Sequence, residues 1–326
     1  MKAIVCTKYG SPDVLQLKEV EKPTPKPDEV LVKIFATTVT AAEGMMRKGT
    51  PFYGRLMLGI LRPKSPIPGT GFAGIIESVG ENVSQFKPGD AVFGETSVNF
   101  GANAEYLTIS ESGLLVPQPE NLPFADTAPI CDGALTAMNF LKNLANIQPG
   151  QRVLINGASG SQGTYAVQLA KHFGAIVTGV CSTKNVALVQ SLGADHIIDY
   201  TKTDFTKSGQ RYDVVYDTVG KISFSGCKNA LTENGVFISP VLAMSLLFQM
   251  LWTSKFSSKK AKFSATGLLP IPESKKLLTE LVSLFASGTI KTVIDRRYPL
   301  EGVPDAHRYV ETGHKTGNIV IDVVQE

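Results

Sequence analysis

Cysteine, histidine and net charge are all scarce in this sequence. Cys6, Cys131, Cys181 and Cys227 are its only thiols in 326 residues. They are scattered, with no Cys-x-x-Cys pair, which argues against a zinc knuckle or a disulfide framework and fits a reducing cytoplasm. Lys and Arg exceed Asp and Glu by 32 − 29 = 3, too few for a nucleic-acid surface. Long apolar runs are missing as well. The most apolar stretch, Val241 to Trp252, is interrupted by Ser245 and Gln249, and a bilayer span needs about 20 apolar residues. The opening Met1-Lys-Ala-Ile-Val-Cys lacks the apolar core and the small-residue site of a secretory signal. These absences predict a cytoplasmic protein that binds neither nucleic acid nor membrane. A chain 43% hydrophobic and 19% charged has a full-sized core, and its length allows two domains at about 150 residues each.

What is present divides by pattern. Up to residue 124, short β-branched runs such as Val30 to Phe35 and Ile75 to Val79 lie between proline and glycine clusters, which predicts a barrel-like β domain. From Asp126 the rhythm changes. A helix is expected to about Ala145, then strands at 151–156, 175–180, 196–199, 212–216 and 235–239. Helices are expected at 165–173 and 186–192. Such alternation is the pattern of a doubly wound parallel sheet. After about residue 268 the pattern changes again. A helix over 273–287 and strands at 292–294 and 318–324 are expected to return to the first domain. The boundaries are therefore 1–124 with 268–326 for the first domain and 125–267 for the second.

The strongest local signal is Asn156-Gly-Ala-Ser-Gly-Ser-Gln-Gly163, read as Ala158-x-Gly160-x-x-Gly163 with Gly157 ahead of it. A diphosphate needs bare backbone N–H groups and a helix N-terminus, and glycine has no Cβ to block the approach. Between a strand and a helix this spacing points to a dinucleotide. An NAD site usually places Asp or Glu after the second strand. Here that strand ends Val180-Cys-Ser-Thr-Lys-Asn185. Ser182 and Thr183 supply hydroxyls and Lys184 a positive charge, so NADPH is the expected cofactor.

With Met1-Lys-Ala-Ile-Val, Pro68-Gly-Thr-Gly-Phe-Ala-Gly74, Lys87-Pro-Gly-Asp-Ala-Val-Phe-Gly94, Ala134-Leu-Thr-Ala137, the glycine turn, Leu192-Gly-Ala-Asp195, Tyr212-Asp-Val-Val-Tyr-Asp217 and Gly317-Asn-Ile-Val-Ile321, nearly the whole chain resembles a medium-chain dehydrogenase/reductase. More narrowly it resembles the zinc-free quinone oxidoreductase and enone reductase branch. The resemblance implies a GroES-like β-barrel domain built from both termini, a Rossmann domain between them, an active site in the cleft and a homodimer. It implies that Thr136 lies near the nicotinamide. Gly157, Ser159, Gly160, Gln162 and Gly163 would hold the diphosphate. Ser182, Lys184 and Tyr200 would surround the 2′-phosphate, and Pro240 would border the nicotinamide.

The departures matter as much. Zinc enzymes of this superfamily carry a Cys ligand in the loop around Thr40 and a His ligand at the place of Thr70. Threonine is a poor zinc ligand, and Cys131 stands one residue out of register for a third, so no metal is expected. The zinc-free branch often has Asn-x-x-Asp in the early loop, where this chain has Thr40-Ala-Ala-Glu43. Without a Lewis acid, quinones and α,β-unsaturated carbonyls are the natural acceptors, because they spread the incoming charge over their own π system. Tyr53 is either a proton donor or a rim aromatic. The four histidines read as structural or solvated, and Lys255, Lys259, Lys260 and Lys262 as a solvated face. The stretch 242–252 is a pocket wall, a subunit interface or a buried core helix. Two other readings stay open: a non-catalytic NADPH-binding redox sensor, and a zinc alcohol dehydrogenase with unusual ligands.

Overall fold

The computed structural model describes residues 1–324. The chain forms two compact units. One comprises Met1–Asp132, Gly267–Ala286 and Thr292 onward; the other comprises Gly133–Thr266 and Ser287–Lys291.

The first unit is built on the long strand Glu29–Thr38. It pairs antiparallel with Gly71–Val79, with Tyr106–Ser110 along its first half, and with Asn318–Asp322 at its end. Ile294–Pro299 continues the sheet parallel to Asn318–Asp322, so the tail does return to this unit. Ala91–Glu95 and Leu114–Pro117 extend the opposite side. Val30, Val32, Ile34, Phe72, Ile76, Val92 and Leu115 form one enclosed core. Ile4, Leu15, Val303, Val310, Ile319 and Ile321 form a second. Alternating inward side chains from both ends of the chain thus make one β domain.

The second unit is a six-stranded sheet in which every neighbouring pair is parallel. Its spatial order is His196–Asp199, Ile176–Cys181, Arg152–Asn156, Tyr212–Asp217, Leu231–Ile238, Lys260–Lys262. Numbered along the chain this is 3-2-1-4-5-6, the dinucleotide-binding order, with its switch point between the first and fourth strands.

Three sequence expectations need correction. The break between units falls at Asp132/Gly133 rather than after residue 124. The turn Phe124–Thr127 belongs to the first unit because the Phe124 ring stacks on Phe35 at 4.7 Å. The expected helix from Asp126 starts at Phe124 after Pro123, and it carries two wide π-type turns, Ile130–Ala134 and Asn139–Leu144. The lysines read as a solvated face are for the most part not one. Lys260–Lys262 is the sixth strand. Lys259 donates to the Lys228 and Leu231 carbonyls, Lys260 to Thr253, and Lys262 to Leu144. These ammonium groups are held against backbone carbonyls, two of them (Thr253 and Leu144) in the last turns of helices.

Candidate functional site

The nucleotide cradle stands at the switch point of the second unit. Strand Arg152–Asn156 ends in Gly157, whose φ is +81°; a Cβ there would lie 2.4 Å from Val219 and 2.7 Å from the Thr218 hydroxyl. The helix Ser161–His172 starts at Gly160 with no side chain capping it. Its first-turn N–H groups, which have no acceptor inside the helix, therefore point their positive end outward. A Cβ on Gly163 would come within 2.1 Å of the Gly157 carbonyl oxygen, so only glycine lets the helix sit down on the turn. The amides of Gly157 and Ala158 donate to the Val180 carbonyl, and that of Gly160 to Gly157. These three residues shape the cradle, and the helix start beyond them turns its positive end to a phosphate. Ser159 accepts from Asn185 at 2.9 Å. Gln162 holds a buried amide oxygen without a partner, an orphaned polar group at the mouth of the helix. A dinucleotide fits this cradle.

Asp217, which no spacing rule singled out, is enclosed beside it. It accepts from Asn156 and from the amides of Val219 and Ile222 and so holds the loop that abuts Gly157. Thr136 lies half-buried in Leu135–Met138, and Pro240 half-buried after Leu231–Ile238.

Strand pairing supplies an acid that the offset rule did not find. Ser182 and the turn Thr183–Asn185 follow Ile176–Cys181. Asp199 pairs with Cys181 in the neighbouring strand, and the Thr183 hydroxyl donates to its carboxylate. Thr201 donates to Asp199 through both its amide and its hydroxyl, and Lys202 lies 3.5 Å away. The Thr183 and Thr201 hydroxyl bonds hold Asp199 down to about 2. Tyr200 is exposed, its amide bonded to Cys181.

The first unit brings three carboxyl groups together. Thr40 caps the helix Ala41–Lys48. Its hydroxyl accepts from the Glu43 amide at 3.2 Å, and Glu43 Oε2 accepts from the Thr40 amide at 2.8 Å. This reciprocal capping box folds Glu43 inward to 4% exposure, with Oε1 enclosed and the Thr70 backbone beside the carboxyl group. Asp132 sits in the wide turn Ile130–Ala134. The Thr38 hydroxyl donates to its Oδ2 at 2.6 Å and the Thr70 hydroxyl to its Oδ1 at 3.0 Å. A Cβ on Gly71 would lie 2.6 Å from Asp132 Oδ2, so the glycine makes this approach possible. Glu95, at the end of its strand, completes the group. Burial first, then the neighbouring carboxylates, push Glu43 and Glu95 well above the usual carboxylate range. Burial also raises Asp132, against the two threonine bonds.

This donor set does not fit zinc. Thr38 and Thr70 direct protons at Asp132, and burial together with Glu95 and Asp132 keeps the Cys131 thiol protonated. Among the described residues no three His, Cys, Asp or Glu side chains stand where one cation could be held. Tyr53 lies 43% exposed in the turn Phe52–Gly54. The apolar stretch forms the helix Met244–Phe256. Leu246 and Thr253 are buried, whereas Met244, Phe248, Leu251, Trp252 and Phe256 are exposed, which removes the reading as a core helix.

A nucleotide cradle on a doubly wound sheet, joined to a GroES-like β domain, defines the class of two-domain dinucleotide-dependent oxidoreductases. Family models agree. An alcohol dehydrogenase GroES-like domain matches residues 26–120, and a zinc-binding dehydrogenase model matches residues 192–321. A chloroplastic quinone-oxidoreductase homolog of Spinacia oleracea is 35% identical over 99% of this chain and 98% of its own. A chloroplastic NADPH-dependent alkenal/one oxidoreductase of Arabidopsis thaliana is 32% identical over 98% of this chain and 79% of its own. The solved quinone oxidoreductase of Escherichia coli complexed with NADPH superposes with a TM-score of 0.84 at 25% identity, covering 99% of this chain and 100% of that one. The chain belongs to the medium-chain dehydrogenase/reductases, in the branch of the quinone oxidoreductases and enone reductases.

Proposed function

We propose that this protein uses NADPH to reduce a quinone, or the C=C bond of an α,β-unsaturated carbonyl, without zinc. The observation that carries this reading is the helix start with no side-chain cap at Gly160 and glycine at 157, 160 and 163, which fits a diphosphate. The relatives named for quinone and alkenal reduction support the acceptor class, and the hydroxyl-donor set around Asp132 supports the absence of metal. NADPH bound there supplies a hydride. Gln162 and the first-turn amides hold the diphosphate, while Lys184, Ser182, Thr183 and Tyr200 surround the 2′-phosphate. Thr136 and Pro240 flank the nicotinamide. Thr40 and Glu43 shape the acceptor side, with Tyr53 at its rim. The four buried free thiols fit the reducing cytoplasm. No helix among the described residues is long and apolar enough to cross a membrane.

The test is NADPH oxidation in EDTA with a short-chain enone and with 1,4-benzoquinone as acceptors. Turnover of either supports the reading, and the ratio of the two rates separates C=C from quinone reduction. Tight NADPH binding with no turnover of either favours the non-catalytic binding protein. Activity lost in EDTA and restored by zinc overturns the zinc-free assignment.

A further inference from the structure

Between the helix Ala41–Lys48 and the strand Gly71–Val79 the first unit turns apolar side chains outward. Phe52, Leu56 and Leu61 are 72%, 71% and 90% exposed, and Met57 and Ile60 are exposed as well. Single apolar residues on a surface are ordinary, whereas five within the ten residues 52–61 mark a place where something binds. The segment is tied down at its backbone. Arg55 donates to the Gly49 carbonyl at 3.0 Å, and its guanidinium lies over the Tyr9 ring, 4.4 Å from the centre. The Tyr9 hydroxyl donates to the Gly59 carbonyl, and the Lys64 amide to the Leu58 carbonyl at 2.8 Å.

Charge on this segment has one sign. From residue 44 to residue 76 the cations are Arg47, Lys48, Arg55, Arg62 and Lys64, with no Asp or Glu. Glu311 reaches in from the helix Val303–Glu311 and pairs with the enclosed Arg47 and with Lys48. Arg62 and Lys64, which follow Ile60 and Leu61, are exposed. Apolar side chains rimmed by cations suit the boundary between anionic headgroups and acyl chains, which offers both kinds of contact at once. A second copy of the chain suits them less, since a two-fold contact would set these cations against each other.

We propose that the loop 52–64 docks this protein on an anionic membrane surface. Phe52, Leu56, Met57, Ile60 and Leu61 enter the headgroup region, and Arg62 and Lys64 meet the anionic headgroups. The chain lies on the membrane and does not span it. The expectation that it binds no membrane rests on its missing apolar run, which bears on spanning alone. Docking is independent of NADPH and of the acceptor.

The test is co-sedimentation of the purified full chain with vesicles of phosphatidylcholine alone and of equal parts phosphatidylcholine and phosphatidylserine. Binding to the mixed vesicles is expected, weakened by salt and at least about tenfold tighter than to phosphatidylcholine alone. No binding to the mixed vesicles at low salt overturns the proposal, and so does equal binding to the two. Arg62→Gln with Lys64→Gln should weaken binding at least about tenfold. Leu56→Ser with Leu61→Ser should do the same by taking two apolar side chains out of the boundary. Binding unchanged in either double variant overturns the proposal. Insertion has a separate readout that leaves the cations in place. The four native thiols are buried, so an environment-sensitive thiol dye labels Leu61→Cys alone. Its emission should shift to the blue on mixed vesicles, and bound protein with no shift overturns the proposal. A chain that ignores vesicles but binds polyglutamate through Arg62 and Lys64 meets an acidic protein instead, which also overturns it.

Discussion

Two single residues flank the place proposed for the cofactor's 2′-phosphate. Lys184 is the cation beside the second strand, and Asp199 is an anion brought there by its neighbour. Replacing Lys184 by Ala should weaken NADPH binding at least about tenfold, the size of a lost charge-assisted contact, with little effect on NADH. Equal loss for both cofactors, read by fluorescence titration, would remove the 2′-phosphate assignment. Asp199→Asn should shift preference the other way, tightening NADPH relative to NADH, because a negative charge leaves the phosphate's surroundings. Gly163→Ala places a Cβ 2.1 Å from the Gly157 carbonyl oxygen. It should cost about 3 kcal/mol or more in unfolding free energy, as overpacking against backbone does, and weaken cofactor binding.

Among the elements, the helix Ala41–Lys48 and the helix Val303–Glu311 bury charge in opposite senses. The enclosed Arg47 pairs with Glu311 and donates to the Gly10 carbonyl. His307, 1% exposed, has neither ring nitrogen partnered. Its folded pKa lies below the ordinary 6.5, so the unfolded chain binds more protons and stability falls as pH drops below that value. His307→Phe should flatten this acid loss, and thermal melts from neutral to acidic pH would show it. Glu43 has the opposite sign. Its raised pKa means the native chain binds more protons. The stability it contributes is present below the ordinary carboxylate range and is lost as pH rises through the folded value. Glu43→Gln should therefore flatten the decline in melting temperature between mildly acidic pH and about 8. A decline unchanged by the substitution would show that Glu43 is ionised in the native state.

For the whole molecule, the expected homodimer can be tested on the helix Met244–Phe256, which turns five large apolar side chains to solvent beside the edge strand Lys260–Lys262. Exposed apolar surface of this kind marks an interaction site. Phe248→Asp with Leu251→Asp should give a monomer by sedimentation equilibrium while NADPH binding persists; a dimer retained by the double variant would place the interface elsewhere.

Much of the architecture was legible from local pattern alone. Apolar period, glycine punctuation and the Gly157–Gly163 spacing depend on neighbours a few residues apart, so the parallel strands, the cradle and the return of the tail all follow from the chain read in order. Lys184 and the poor metal-ligand character of Thr40 and Thr70 are also properties of residue type. Tertiary structure decided what depends on distant segments meeting. Asp199 reaches Thr183 only through strand pairing. Lys259, Lys260 and Lys262 find backbone carbonyls, and the apolar helix at 244–256 keeps one side uncovered. Asp132 accepts from Thr38 and Thr70, which lie 94 and 62 residues away along the chain. Burial raises its carboxyl pKa against those two bonds. Burial and the charge of non-local neighbours are set by packing, and no spacing rule along the chain contains them.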